Sequence, residues 1–70
     1  MTKKELTPRQ MDALNAIKVR IKKHGYPPTI KDIADDLGVS STNGVREHLK
    51  ALVSKGHISR TQHARSIRLL

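Results

Sequence analysis

The chain has 70 residues, and fourteen Lys and Arg against six Asp and Glu give it a formal net charge of +8. A chain this short forms one domain, residues 1–70, near the lower size limit for a self-sustaining core, so we expect a binding module and no enzyme. The charge favours a polyanionic partner such as nucleic acid, but it also suits a membrane surface or simple solubility. The sequence has no cysteine and no apolar run that resembles a membrane span or a signal peptide, so we expect a soluble, cytoplasmic protein.

The first predicted element is a helix from about Pro8 to His24. Thr7 can cap it, and Gln10 stands where the partner of a capping box belongs. Gly25 marks its end. The apolar positions at helical spacing are Met11, Leu14, Ile17 and Ile21. The basic residues of its last turns, which suit either the helix dipole or a phosphate, are Lys18, Arg20, Lys22, Lys23 and His24.

The second predicted helix is short, from about Ile30 to Leu37. Thr29 can cap it, with Asp32 at the third position, and Gly38 provides the left-handed exit. Its inner side consists of Ile30, Ile33, Ala34 and Leu37. Phosphate would repel the acids of its outer side, Asp32, Asp35 and Asp36, so we expect most of this face to point away from a nucleic acid.

A third helix, over about residues 41–55, is predicted with Ser41 as its cap. Its apolar positions are Val45, Leu49, Leu52 and Val53. Two short helices joined by the tight turn "LGVSS" are typical of a helix-turn-helix, whose second helix enters the major groove of DNA, although a plain three-helix bundle can share this pattern.

After Gly56, the spacing of Ile58, Ile67 and Leu69 predicts a two-stranded antiparallel β-hairpin. Its strands are expected over about residues 58–60 and 66–69, with no glycine in the turn. The fold is therefore expected to be mainly α, a winged helix-turn-helix of three helices plus a C-terminal β-hairpin. Candidate phosphate or wing residues are Lys50, Arg60, His63, Arg65 and Arg68.

No metal, cofactor or small-molecule substrate is expected. The four histidines, His24, His48, His57 and His63, lack the spacing of a metal site, and no serine has an evident general base. Tyr26 is the only aromatic residue, which argues against a protein that stacks single-stranded bases.

Three longer runs carry a resemblance: "TPRQMDALNAIK", "GYPPTIKDIADDLGVSSTNGVREHLKALVSKGHI" and "RSIRLL". Together they resemble the amino-terminal DNA-binding domain of the LexA family of bacterial SOS repressors, over nearly the whole chain. The resemblance implies a winged helix-turn-helix that represses transcription at an operator with two inverted half-sites. It also implies location in the bacterial cytoplasm or nucleoid.

In that family the first turns of the recognition helix touch the bases, and the matching positions are Ser41, Asn43, Gly44, Arg46 and Glu47. Their chemistry agrees. Asn43 can pair with adenine, Glu47 can accept from a cytosine amino group, and the Ser41 hydroxyl can bond a base or a phosphate. Gly44 allows a thymine methyl or the DNA backbone to come close.

Arg46 departs from the glutamate of the proteobacterial members that this sequence most resembles, and it would favour guanine or a phosphate. The family also continues into a linker and a carboxy-terminal domain, which holds the dimer interface and the serine-lysine pair used for self-cleavage. The 70 residues are therefore expected to be either an isolated domain or a short LexA-like regulator of a phage or mobile element. In both cases we expect no self-cleavage, and dimerisation that is weak or occurs only on DNA.

Two hypotheses follow. The first is a repressor that binds specific double-stranded DNA. The alternative is a winged-helix module that binds another protein, such as a full-length repressor or a polymerase subunit. The polar residues of the recognition helix favour the first.

Overall fold

A computed structural model describes residues 5–61, 63 and 65–70 of the chain. Its elements are α1 (Pro8–His24), α2 (Ile30–Leu37), α3 (Thr42–Ser54), β1 (Ile58–Ser59) and β2 (Arg68–Leu69). Three helices followed by an antiparallel strand pair confirm the predicted fold class. Within the described residues, no helix combines the length and the apolar character that crossing a membrane requires.

Capping side chains define the starts of α1 and α2, and a glycine defines the end of α1. At the start of α1 the Thr7 hydroxyl accepts from the Gln10 amide at 3.3 Å, and the Gln10 side chain accepts from the Thr7 amide at 3.1 Å. The same reciprocal pair opens α2, between Thr29 and Asp32. Gly25 then ends α1 in the left-handed conformation, with φ of 80°. Since such contacts are local, both helices have the bounds predicted from the sequence.

The core is built from all three helices and closed by the C-terminal segment. Its buried apolar residues are Ala13, Leu14, Ile17, Ile33, Ala34, Val45, Leu49, Leu52, Ile58 and Ile67. Two residues predicted to join them do not, since Met11 is 44% exposed and Val53 is 41% exposed. The buried side of α1 is formed by Ala13, Leu14 and Ile17, and helical spacing places Met11 beyond its edge.

The two strands form a shorter hairpin than predicted, with only Ile58 opposite Leu69 and Ser59 opposite Arg68. Side-chain bonds replace strand pairing beyond them. The Ser66 hydroxyl accepts from the Thr61 amide at 3.0 Å and donates to the Thr61 carbonyl at 3.1 Å. Leu69 on β2 is 40% exposed. We call β1, β2 and the described residues between them the wing.

Polar contacts tie α1 to the other two helices. Arg20 donates two bonds to the Asp36 carboxylate, at 2.6 and 2.8 Å, which joins α1 to α2. Near the other end of α1, the Lys55 ammonium donates to the Gln10 side chain at 2.7 Å, just after α3 ends. The second contact holds the end of α3 against α1.

Candidate nucleic-acid interface

The polar side of α3 faces solvent. Val45, Leu49 and Leu52 are buried and fix the inner side of the helix. Because successive residues are rotated by about 100°, Asn43 and Glu47 fall on the opposite side, and both are exposed. These two candidate base-reading side chains are thus presented together on the solvent-facing side of α3.

Ser41 and Gly44 lie at the start of the same helix. The exposed Ser41 caps α3 by accepting from the Asn43 amide at 3.2 Å, and its hydroxyl proton remains available to another acceptor. At Gly44, an added Cβ would have no heavy atom of the surrounding protein within 4 Å. Gly44 is therefore not required by packing inside the domain, and its open surface is accessible to a ligand.

Arg46 lies on one flank of α3 and lines a cleft of about 320 Å³ between α3, the start of α2 and the wing. The basic side chains that line this cleft are Lys31, Arg46, Arg60, His63 and Arg65. Among the described residues lining the cleft there is no Asp or Glu. We call these five residues the basic cleft. A concave surface lined by cations attracts a polyanion more strongly than isolated charges do.

Within the basic cleft, Arg65 has contacts of its own. Its guanidinium carbon lies 4.7 Å from the centre of the Tyr26 ring. One guanidinium nitrogen, Nη1, donates to the Pro27 carbonyl at 3.1 Å and lies 3.4 Å from the Asp32 carboxylate. The structure thus places this predicted wing residue against the loop between α1 and α2.

Lys50 and Arg68 lie outside the basic cleft. Lys50 is exposed on α3 and lines a shallow depression with Val53 and Arg60. Arg68 is exposed on β2 and lines a depression of the wing that also includes Arg60 and His63. Arg60 borders all three hollows, so the predicted phosphate contacts form one continuous basic surface around it.

Sequence reasoning missed Lys31, Thr42 and Arg9, which the fold brings close to the flanks of α3. Lys31 in the first turn of α2 lines the basic cleft together with Thr42. On the opposite flank of α3, Arg9 and His48 border a smaller pocket of about 230 Å³, next to Ser41 and Gly44. The position of Lys31 could have been anticipated, because a helix-turn-helix brings its first helix across the DNA backbone.

The acids of α2 lie away from the basic cleft or are paired. Asp36 borders a separate groove between α1 and α2, and the hydrogen bonds from Arg20 hold the pKa of this carboxyl below its usual value. The Thr29 amide lowers the pKa of Asp32, with further contributions from Arg20 and Arg65. The negative charges of Asp32 and Asp36 are thus paired with arginines of the domain.

The sequence of the chain is similar to those of known proteins. Residues 3–66 match the family model described as the LexA DNA binding domain. The chain is 54% identical over 55 residues to the LexA repressor of Anaeromyxobacter dehalogenans, covering 79% of this chain and 24% of that protein. It is 50% identical over 66 residues to the LexA repressor of Pseudomonas aeruginosa, covering 93% of this chain and 32% of that protein.

The chain thus spans only about a quarter to a third of these relatives. The family model, in contrast, covers nearly all of the chain, from the residues before α1 to the end of the wing loop. The chain belongs to the LexA DNA-binding domain family.

Proposed function

We propose that the domain binds specific sequences of double-stranded DNA and represses transcription, as the name of its relatives implies. In this proposal α3 enters the major groove while the wing follows the sugar-phosphate backbone. The observation that carries it is the exposed polar face of α3 lying directly beside the basic cleft. Base readout and backbone attraction are then supplied by neighbouring surfaces.

The base-reading residues of the proposal lie in the first two turns of α3. Asn43 would pair with the donor and acceptor edge of adenine, and Glu47 would accept from a cytosine amino group. Ser41 would donate to a base or phosphate, and Gly44 would let the duplex approach the helix. Each of the four is exposed at the start of α3, where a recognition helix contacts bases.

Arg46 completes the proposed reading surface from the flank of α3 that faces the wing. Its guanidinium can bond both acceptors of guanine, which no other base pair offers in that arrangement. Lys50, Arg60, His63 and Arg68 would contact the backbone around it. These contacts add affinity on any sequence and carry no base preference.

A single domain reads one half-site. Binding of two copies to an inverted repeat would double the contacts, so we expect weak dimerisation that is favoured by DNA. The chain covers only 24% and 32% of its two relatives, so properties that depend on the rest of those proteins are not assigned to it.

Selection of bound sequences from a random DNA pool tests this proposal. We expect an inverted repeat, and Asn43→Ala should weaken its binding by about 1 to 3 kcal/mol while hardly changing the binding of random DNA. Asn15→Ala is the matched control, since Asn15 is exposed on α1 and borders the groove that contains Asp36. Equal, weak binding of selected and scrambled DNA would reject the proposal and favour the protein-binding alternative.

The same selection with Arg46→Glu tests the role of Arg46. A base-reading Arg46 predicts that the two proteins select different half-sites. Since Arg46 is exposed, the substitution should change the free energy of unfolding by no more than about 0.5 kcal/mol. Identical half-sites from both pools would show that Arg46 contacts phosphate or solvent and reads no base.

A further inference from the structure

The backbone of the wing turns sharply at Arg65. Among the described residues it is the only one other than glycine with a positive φ, at 57°. Residues with a Cβ adopt this conformation uncommonly, and a long charged side chain has no local hydrogen bond that favours it, unlike Asn or Asp. Contacts beyond the turn itself must therefore hold Arg65 in place.

Three groups between the end of α1 and the first turn of α2 supply those contacts. The guanidinium lies over the Tyr26 ring, donates to the Pro27 carbonyl and pairs with the Asp32 carboxylate. Each group recognises a different property of the side chain: its flat cationic face, its N–H bond and its charge. These three contacts already occupy the guanidinium inside the domain, whereas an arginine that binds phosphate presents its N–H groups to solvent.

Asp32, which pairs with Arg65, is itself held in place by other contacts. The Asp32 oxygen that faces Arg65 also accepts from the Thr29 amide at 3.0 Å, as part of the cap of α2. The same oxygen lies 3.8 Å from Arg20 of α1. Asp32 thus connects the wing to α1 and α2, and it also places a negative charge where a phosphate would have to approach Arg65.

The wing needs such an attachment, because two pairs of opposed residues give little independent stability to a hairpin. Ile58 and Ile67 attach its base to the core, while Arg60 and His63 lie farther out at the basic cleft. The contacts of Arg65 are made close to those side chains along the chain. They can therefore set the position of the wing relative to α3.

We propose that Tyr26 and Arg65 are positioning residues, which anchor the wing to the α1–α2 loop so that Arg60 and His63 face the DNA backbone. This inference rests on the proposed DNA binding and deepens it. Tyr26 acts at a distance from the bases, and Arg65 acts through Tyr26 and Asp32 rather than by binding a phosphate.

Operator binding by four variants tests the proposal: Tyr26→Leu, Tyr26→Phe, Arg65→Ala and the double variant that combines Tyr26→Leu with Arg65→Ala. Tyr26→Leu and Arg65→Ala should each weaken binding by about three- to tenfold, because either substitution removes the stacking of the guanidinium on the ring, and Arg65→Ala also removes the bonds to Pro27 and Asp32. The double variant should bind as weakly as the weaker single variant and no worse. Tyr26→Phe keeps the ring and should bind like the unchanged protein.

A phosphate-binding Arg65 gives a different pattern and would overturn the proposal. Tyr26→Leu, which removes no charge, would then leave affinity unchanged, while Arg65→Ala would reduce the slope of log affinity against log salt by about 0.9. Additive losses in the double variant would equally contradict a shared anchor. Since Tyr26 is 47% exposed, its substitution should leave the fold intact, which circular dichroism can check.

A measurement without DNA separates this inference from the proposed function. The {1H}-15N heteronuclear NOE values of the Thr61, His63 and Ser66 amides report how firmly the wing is held in the free domain. They should fall in Tyr26→Leu and be retained in Tyr26→Phe. Unchanged values in Tyr26→Leu would overturn the anchor even if the domain binds its operator, whereas a fall without operator preference would reject only the DNA-binding proposal.

Discussion

The helices and the wing of this domain are stabilised by different kinds of contact. The helices bury a continuous apolar cluster, in which Ile17, Ile33 and Leu49 are completely inaccessible to solvent. The wing contributes only Ile58 and Ile67 to that cluster, and its outer part is held by hydroxyl groups and by a partly exposed arginine.

Within 70 residues, stability and ligand binding therefore depend mainly on different parts of the domain. Burying an apolar side chain contributes about 1.5 to 3 kcal/mol, whereas an exposed ion pair contributes about 0 to 1 kcal/mol. The free energy of folding therefore depends mainly on the helices. The wing and the outer face of α3 are free to carry the charges and polar groups that a ligand requires.

The largest expected effect comes from the core. Leu49→Ala should lower the free energy of unfolding by about 2 to 5 kcal/mol, because Leu49 is fully buried between the helices. Val53→Ala, one turn further along α3 at 41% exposure, is the matched control and should cost much less. Urea unfolding measures both losses. Similar losses would contradict the orientation of α3, in which Leu49 faces the core and Val53 faces solvent.

Salt should mainly affect DNA binding by the basic side chains of the wing and of the outer face of α3. With ~4 phosphate contacts per domain, the slope of log affinity against log salt should be roughly −3 to −4, so DNA binding weakens about 100-fold between 50 and 200 mM salt. Fluorescence anisotropy with labelled DNA measures this slope. A slope near zero would show that the basic surface does not contact phosphate.

A substitution at Gly44 should affect the two properties in different ways. Ala fits without a clash and favours a helix, so Gly44→Ala should raise the free energy of unfolding by about 0.5 to 1 kcal/mol. If DNA approaches α3 closely at this position, its selected half-site or affinity should change as well. Greater stability with wholly unchanged DNA binding would remove Gly44 from the proposed reading surface.

The smallest effect is expected from acid. The pKa of Asp36 is lowered in the folded protein, chiefly by the hydrogen bonds from Arg20, so its stabilising contribution is complete above the ordinary value of 3.8. That contribution should be lost as the pH falls from about 4 through the folded pKa. Asp36→Asn should flatten this part of the stability profile, measured by thermal unfolding between about pH 2 and 6. Asp35→Asn, an exposed carboxyl on the same helix, is the control and should flatten it less.

Sequence alone determined the helices and much of the candidate reading surface. Thr7, Thr29 and Ser41 each act on an amide two or three residues further along, so the helix starts depend on neighbouring residues only. Helical spacing alone likewise places Asn43 and Glu47 opposite the apolar positions Val45 and Leu49. Both inferences depend on the geometry of a single helix, which local sequence specifies.

Tertiary structure decided which surfaces these helices share. Arg46 and Lys31 line one cleft only because α2, α3 and the wing pack together. Arg65 meets the Pro27 carbonyl across 38 residues of chain, and no local pattern indicates that a basic wing residue contacts this loop. A sequence specifies the charge and reach of such a side chain, but its partner depends on how distant segments pack around the common core.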